Sequence, residues 1–276
     1  MSDFVNSVDS IGDEALASSI IDRSIQEIRD NYTTRIGNYA FKGCSELITA
    51  EFPSVTSIDY YAFQSCSALT TVNFPNATII SSYSFDSCSA LTTVNFPLVT
   101  KIYERAFQSC SALTTVNFPL VTNIDERAFM SCSKLITADF PALTSIYDYS
   151  FQSCSALTTV NFPNATRIRI SAFQSCSSLK TADFPLVKSI DSNAFYYCTA
   201  LKALILRSET MATLKSTMAF IKTKIAAGTG YIYVPAALVD SYKAASNWST
   251  YANQFRALED YTVDGTVTGA LDESKI

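Results

Sequence analysis

Apolar residues along this chain recur on a 22-residue beat instead of a single helical or strand period. A typical unit, residues 106–127, reads A-F-Q-S-C-S-A-L-T-T-V-N-F-P-L-V-T-N-I-D-E-R. Within a unit, L-x-x-V-x-F (Leu91, Val94, Phe96) ends on two apolar residues separated by Asn95, the alternation of a strand. The F-x-x-C-x-x-L stretch spaces apolar residues by three, which suits a 3₁₀ or short helical turn. Each unit therefore predicts one strand, a proline-marked bend, an isoleucine-anchored return and a helical turn.

The beat is strict. Cysteines stand at Cys44, Cys66, Cys88, Cys110, Cys132, Cys154, Cys176 and Cys198. A phenylalanine precedes each by three residues, from Phe41 to Phe195, and a leucine follows each by three, from Leu47 to Leu201. One unit cannot bury its own apolar side, but stacked units share a continuous core. The expected fold is a repeat solenoid whose parallel sheet has nine to ten strands, with short 3₁₀ or helical turns and helical caps at both ends. At about 4.8 Å per strand such a sheet is roughly 40–45 Å long.

The pattern also divides the chain. Residues 1–22 are assigned to an N-terminal helical cap, in which DEALASSII has acids in its first turn. Residues 23–207 form the solenoid, and Ile25 and Ile28 mark a degenerate opening strand. Residues 208–260 form a C-terminal cap of helix, strand and helix. Its first helix is read over 208–226, free of Gly and Pro, with Met211, Leu214, Met218 and Ile221 as its apolar residues. Tyr231 to Pro235 make the strand. Leu238, Tyr242, Trp248, Tyr251 and Phe255 lie on the closing helical part and shield the last open edge. Residues 261–276 are an acidic tail, where Asp264-Gly265 is a hairpin turn signal.

Composition narrows the chemistry. The 276 residues are 48% apolar, enough for a large core, and only 16% charged, so Ser, Thr and Asn must cover the surface. Histidine is absent, which removes Ser-His-Asp, Cys-His and His-ligated metal sites. No glycine lies between Gly43 and Gly228, so the body holds no Gly-rich nucleotide loop. The net charge of −5 resides in residues 1–30, where seven acids face Arg23 and Arg29; the rest balances. A neutral body without a basic stripe argues against nucleic acid as a partner. No apolar run of eighteen residues predicts membrane insertion. The first residues lack the basic and apolar regions of a secretory signal: the chain stays in the cytosol, leaves by another route, or has lost a leader. N-x-S/T triplets at Asn31, Asn76, Asn164 and Asn247 matter only in a glycosylating pathway.

The A-F-x-x-C-x-x-L-x-x-V-x-F-P unit resembles the BspA-like, Treponema pallidum-type leucine-rich repeats of bacterial surface proteins, over residues 23–207. The resemblance implies a curved or gently twisted right-handed leucine-rich-repeat solenoid without catalytic residues or cofactor. The segment Y-I-Y-V-P-A-A-L-V-D-S-Y-K-A-A-S-N-W-S is similar to end caps of such proteins from gut bacteria and their prophages.

Eight cysteines invite a disulfide framework, but stacked equivalents point the same way at about 4.8 Å, whereas a disulfide needs converging Cβ atoms roughly 3.5–4.5 Å apart. The spacing gives no C-x-x-C pair for a metal. The cysteines are expected to be a buried column of small apolar thiols.

Two surfaces remain. Outward strand positions read as a Thr column from Thr49 to Thr181 and an Asn/Asp column from Glu51 to Asp183, a polar and almost uncharged face. Its plain role is solubility and bonding between coils. The three residues after each anchoring Ile vary while the anchors hold. They use the vocabulary of recognition surfaces. The candidate binding residues there are Tyr60, Tyr61, Tyr83, Tyr103, Arg105, Arg127, Tyr147, Tyr149 and Arg169.

The function expected is non-catalytic binding or adhesion at a bacterial surface or on a phage particle, against a protein or glycan of a host or neighbouring cell. The acidic N-terminal segment is available to dock to a larger assembly. The alternative is an intracellular scaffold for protein–protein contacts. Carboxylate pairs such as Asp125-Glu126 sit on exposed turns with no pocket implied, so an enzyme is disfavoured.

Overall fold

Threonine and asparagine alternate with Val or Ala in each T-x-N segment, and this alternation builds the first side of every coil. The structure, a computed structural model, describes residues 10–11, 25–263 and 266–267, with side chains over 25–261. Strands such as Thr49–Glu51, Thr71–Asn73 and Thr93–Asn95 stack in parallel, Thr49 opposite Thr71 and Thr71 opposite Thr93. Among the described residues this ribbon runs through eleven short strands from Glu27–Arg29 to Phe255–Ala257.

The isoleucine return is a second strand, not a bend alone. Ser57–Ile58, Ile79–Ile80 and their equivalents place Ile36, Ile58, Ile80, Ile102 and Ile124 in register along a parallel ribbon of their own. Ser10–Ile11 extends this ribbon by pairing with Arg35–Ile36. The helix expected in the segment DEALASSII lies outside the described residues, as do the acidic N-terminal docking segment and most of the acidic tail. The strands flanking Asp264-Gly265 pair antiparallel, Thr262 with Val267.

The third side carries F-x-x-C-x-x-L. Its three-residue bonds form as expected: Cys66 N–H donates to Phe63 O at 3.2 Å and Leu69 N–H to Cys66 O at 3.1 Å. They do not grow into helix, because two residues per coil are left-handed: Tyr61 at φ 59° and Ser65 at 60°, repeated up to Asn193 and Tyr197. Each reversal aims an N–H at the next coil, as in Tyr61 to Ser82 O (3.2 Å) and Ser65 to Asp86 O (2.8 Å). Left-handed backbone costs roughly 1–2 kcal/mol at a non-glycine residue. Gly43 occupies the equivalent of Ser65 at φ 74°. Ser131→Gly is therefore expected to be neutral or to stabilise, whereas Ser131→Val, β-branched at φ 63°, should lose at least about 1 kcal/mol in urea melts.

Two phenylalanine columns interlock inside. Phe63, Phe85 and Phe107 stack at 5.2 and 5.3 Å, and the rings of the F-P positions fit between them, Phe74 lying 5.8 Å from Phe63 and 6.2 Å from Phe85. The cysteines form the expected buried column of free thiols. From Cys66 to Cys198 each also works as a donor: Cys66 Sγ bonds Phe41 O at 3.0 Å and Cys110 Sγ bonds Phe85 O at 3.2 Å, in the coil before.

Ring stacking and strand pairing want different rises. Rings of the F-P column lie 5.4–6.3 Å apart, but hydrogen-bonded strands prefer about 4.8 Å. The first ribbon relieves this mismatch by parting twice, between Thr93–Asn95 and Thr115–Asn117 and between Thr159–Asn161 and Thr181–Phe184. At the first parting Phe96 and Phe118 lie 6.3 Å apart, wider than the 5.7 Å of Phe74–Phe96 and the 5.4 Å of Phe118–Phe140 on either side. The inward Val94 and Val160 become half-exposed, in contrast to Val72 and Val116.

The helix expected over 208–226 is corrected to one more coil. Thr213–Leu214 is a strand paired with Ser189–Ile190, and a 3₁₀ turn, Thr217–Phe220, sets Phe220 on Phe195 at 5.6 Å. Leu214 and Phe220 take the Ile and Phe positions, while Met211 and Met218 of the supposed apolar face are exposed. Beyond it, Ala236–Leu238, Val239–Ala244 and Trp248–Gln254 are short helical pieces. The edge of the first ribbon is closed by a strand instead, Phe255–Ala257 against Tyr231–Val234. Cap side chains complete the second ribbon: Trp248 Nε1 donates to Ala212 O (2.7 Å), Asn247 Nδ2 donates to Leu214 O (2.8 Å), and Tyr242 Oη accepts from Ala212 N (2.7 Å).

Candidate interaction surface

The variable triplets sit where the second ribbon enters the left-handed turn, and the backbone there decides which side chains meet. The third residue of each triplet is left-handed: Tyr61, Tyr83, Arg105, Arg127 and Tyr149, with φ between 54° and 59°. Identical backbone in every coil stacks these side chains in one column. Tyr61 lies 4.6 Å from Tyr83 in parallel planes, and Tyr39 lies 4.9 Å from Tyr61. Arg105 continues the column over the far face of Tyr83 at 5.1 Å, its Nη1 donating to Tyr83 Oη at 2.6 Å. Arg127 covers Tyr149 at 4.7 Å. Burial, and then the Glu104 carboxylate, push the Tyr83 phenol above its ordinary pKa.

The other predicted residues do not join this column. Tyr103 and Tyr147 are first in their triplets, two coils apart. Lys101 Nζ lies 4.0 Å over the Tyr103 ring, and Arg169 lies 4.9 Å over Tyr147 while pairing with Asp148 at 3.2 Å. Tyr60 stands alone at a second position, 52% exposed, and its N–H donates to Asn38 Oδ1 at 3.2 Å. All the predicted residues except Tyr60 are half-buried.

Sequence reasoning left Tyr39, Lys42, Glu104, Glu126 and Asp148 out of the binding residues, reading Glu126 and Asp148 as exposed turn carboxylates. Stepping back 22 residues from Tyr61 would have reached Tyr39, in the triplet Gly37-Asn38-Tyr39. Lys42 Nζ lies 5.1 and 5.4 Å over the Tyr39 and Tyr61 rings. Glu104 and Glu126 pair with the arginine following each of them. The faces of the stacked rings are thus taken, and the column offers hydroxyls, ring edges and guanidinium groups.

Among the described residues no group of three or more Cys, Asp or Glu is placed to hold a metal ion, and no helix is long and apolar enough to cross a membrane. The BspA type leucine-rich repeat region matches the chain over residues 9–136, 78–202 and 122–227. The chain belongs to that family. This BspA-type chain is similar to a leucine rich cell surface protein from Faecalibacterium prausnitzii A2-165, with 21% identity over 92% of this chain and 88% of that one and a TM-score of 0.40. It is also similar to a T. pallidum leucine-rich repeat protein (23% identity, 62% and 79% covered, TM-score 0.49) and to one from Bacteroides ovatus (18%, 83% and 89%, TM-score 0.36). No curated protein matches the BspA-type chain.

Proposed function

We propose that this BspA-type protein is a non-catalytic adhesin, displayed on a bacterial surface, that grips a protein on a host or neighbouring cell through its variable turn face. The supporting observation is the column running from Tyr39 to Tyr149 with Tyr60, Tyr103 and Tyr147 beside it: rings and guanidinium groups fixed by a rigid repeat, where little conformational entropy remains to be lost on binding. Family membership supports display, since these repeats are those of bacterial surface proteins. A protein partner is favoured over a glycan at this face, because sugars stack on open ring faces and most of these are covered. The triple variant Tyr60→Ala, Tyr103→Ala, Tyr147→Ala should bind intact epithelial cells about tenfold or more weakly, with unchanged circular dichroism. Binding by the parent should vanish when the cells are first treated with protease. Undiminished binding by the triple variant would end this reading.

A further inference from the structure

The parted strands of the first ribbon leave a feature that the turn face does not explain. Between Thr93–Asn95 and Thr115–Asn117 a depression of about 470 Å³ opens on the Thr/Asn face, within the usual range of small-ligand sites. Its walls include Thr92, Thr93, Asn95, Thr114, Thr115 and Asn117, with Pro97 and Pro119. We propose that this opening is a binding site for an uncharged saccharide of one or two units.

Three observations carry the assignment. First, the coil-to-coil bonds made elsewhere lapse here. Thr92 N–H donates to Thr70 O (3.0 Å) and Phe74 N–H to Asn95 O (3.3 Å), but no such bond joins Thr114 to Thr92 or Phe96 to Asn117. Donors and acceptors of the backbone therefore face a ligand able to supply both. Hydroxyl groups do so. Second, the side chains match. Asn95 Nδ2 donates to Asn73 Oδ1 at 2.9 Å, and no side-chain bond links Asn95 to Asn117 across the opening. The hydroxyls of Thr93, Thr114 and Thr115 add neutral donors and acceptors, and Thr92 Oγ1, which donates to Thr70 O at 3.1 Å, adds an acceptor. Pro97 and Pro119, with Leu98 and Leu120 exposed beside them, supply the apolar contact that the C–H face of a sugar ring needs. Third, no lining residue is ionisable. An anionic or cationic ligand would be desolvated there without a counter-charge. The second parting makes the contrast: Lys180 and Asp183 stand at it, and Asp183 is held by Arg207 at 2.7 Å.

Cellobiose, maltose, mannobiose and N,N′-diacetylchitobiose at millimolar concentration, observed by saturation-transfer NMR, test the proposal directly. At least one should bind the intact protein. Asn95→Ala with Asn117→Ala should weaken it by about tenfold or more, the loss of two or more neutral hydrogen bonds. Asn161→Ala at the charged parting should leave binding unchanged, as should the triple tyrosine variant, which separates this site from the turn face. Circular dichroism verifies that each variant is folded. Absence of binding by all four sugars, or binding that survives the Asn95/Asn117 double substitution, would overturn the assignment.

Discussion

Raising the pH should unfold this protein: stability is expected to hold to about pH 8, to fall with growing slope above about pH 8.5, and to be exhausted cooperatively by about pH 10 to 11. The cause is the sulfur column. Burial pushes the thiols of Cys66, Cys88, Cys110, Cys154 and Cys176 upward, and Cys132 to about 12. In the unfolded chain the same thiols ionise near about 8.5. Below that value both states are protonated and the groups contribute no pH dependence. Above it the unfolded chain releases protons that the native state retains, so each such thiol removes about 1.4 kcal/mol of stability per pH unit until its own native pKa is reached. Six acting together exhaust the about 5–15 kcal/mol of a typical domain within one or two units. Urea melts followed by circular dichroism from pH 7 to 11 measure the slope. Cys110→Ala with Cys132→Ala should flatten it by two protons. A stability independent of pH across that span would show that the column is accessible to hydroxide or already ionised.

Replacing Phe107 by alanine should destabilise the protein by about 3–5 kcal/mol. Phe107 is fully buried in mid-stack, with rings at 5.3 Å on either side in its own column (Phe85, Phe129) and at 6.1 Å in the interleaved one (Phe96, Phe118). Neighbours pinned by two ribbons and a turn ladder cannot collapse into the vacated space, so transfer and cavity costs add. In a stack whose coils touch only their neighbours the loss is local at first. Amides from Phe85 to Phe129 should lose hydrogen-exchange protection before the ends do. The same change at Phe41, whose ring meets two others among the described residues, Phe52 and Phe63, should cost less. A loss below about 1 kcal/mol at Phe107 would mean that the rings do not carry the core.

Where the reading of residues failed, the beat itself had slipped. Leu214 follows Ile190 by 24 residues, and Phe220 follows Phe195 by 25. The inserted residues broke the 22-residue register and left a spacing that imitates a helical face. The terminal strand Phe255–Ala257 was hidden in the same way, among aromatics that look like one side of a helix. On the turn side the three-residue bonds are those expected, but the backbone that joins them is not legible in the residues. Three-residue spacing is common to a 3₁₀ helix and to consecutive turns, and only the left-handed backbone at positions such as Ser65 separates them. Serine does not announce that conformation as glycine does. Of the nine candidate surface residues, five form one column because they share the third, left-handed place; Tyr60, first among them in chain order, does not.

The sequence alone determined the architecture of the body: a strict 22-residue recurrence permits only stacked, in-register coils, and so fixed the buried columns of Phe, Cys, Leu and Ile. Tertiary structure decided what recurrence leaves open. Rings that stack at more than 5 Å and strands that pair at about 4.8 Å cannot both be satisfied over many coils. The place where the ribbon gives way, and the depression it leaves among Thr93, Asn95, Thr115 and Asn117, emerge only when the two spacings are forced to share one stack.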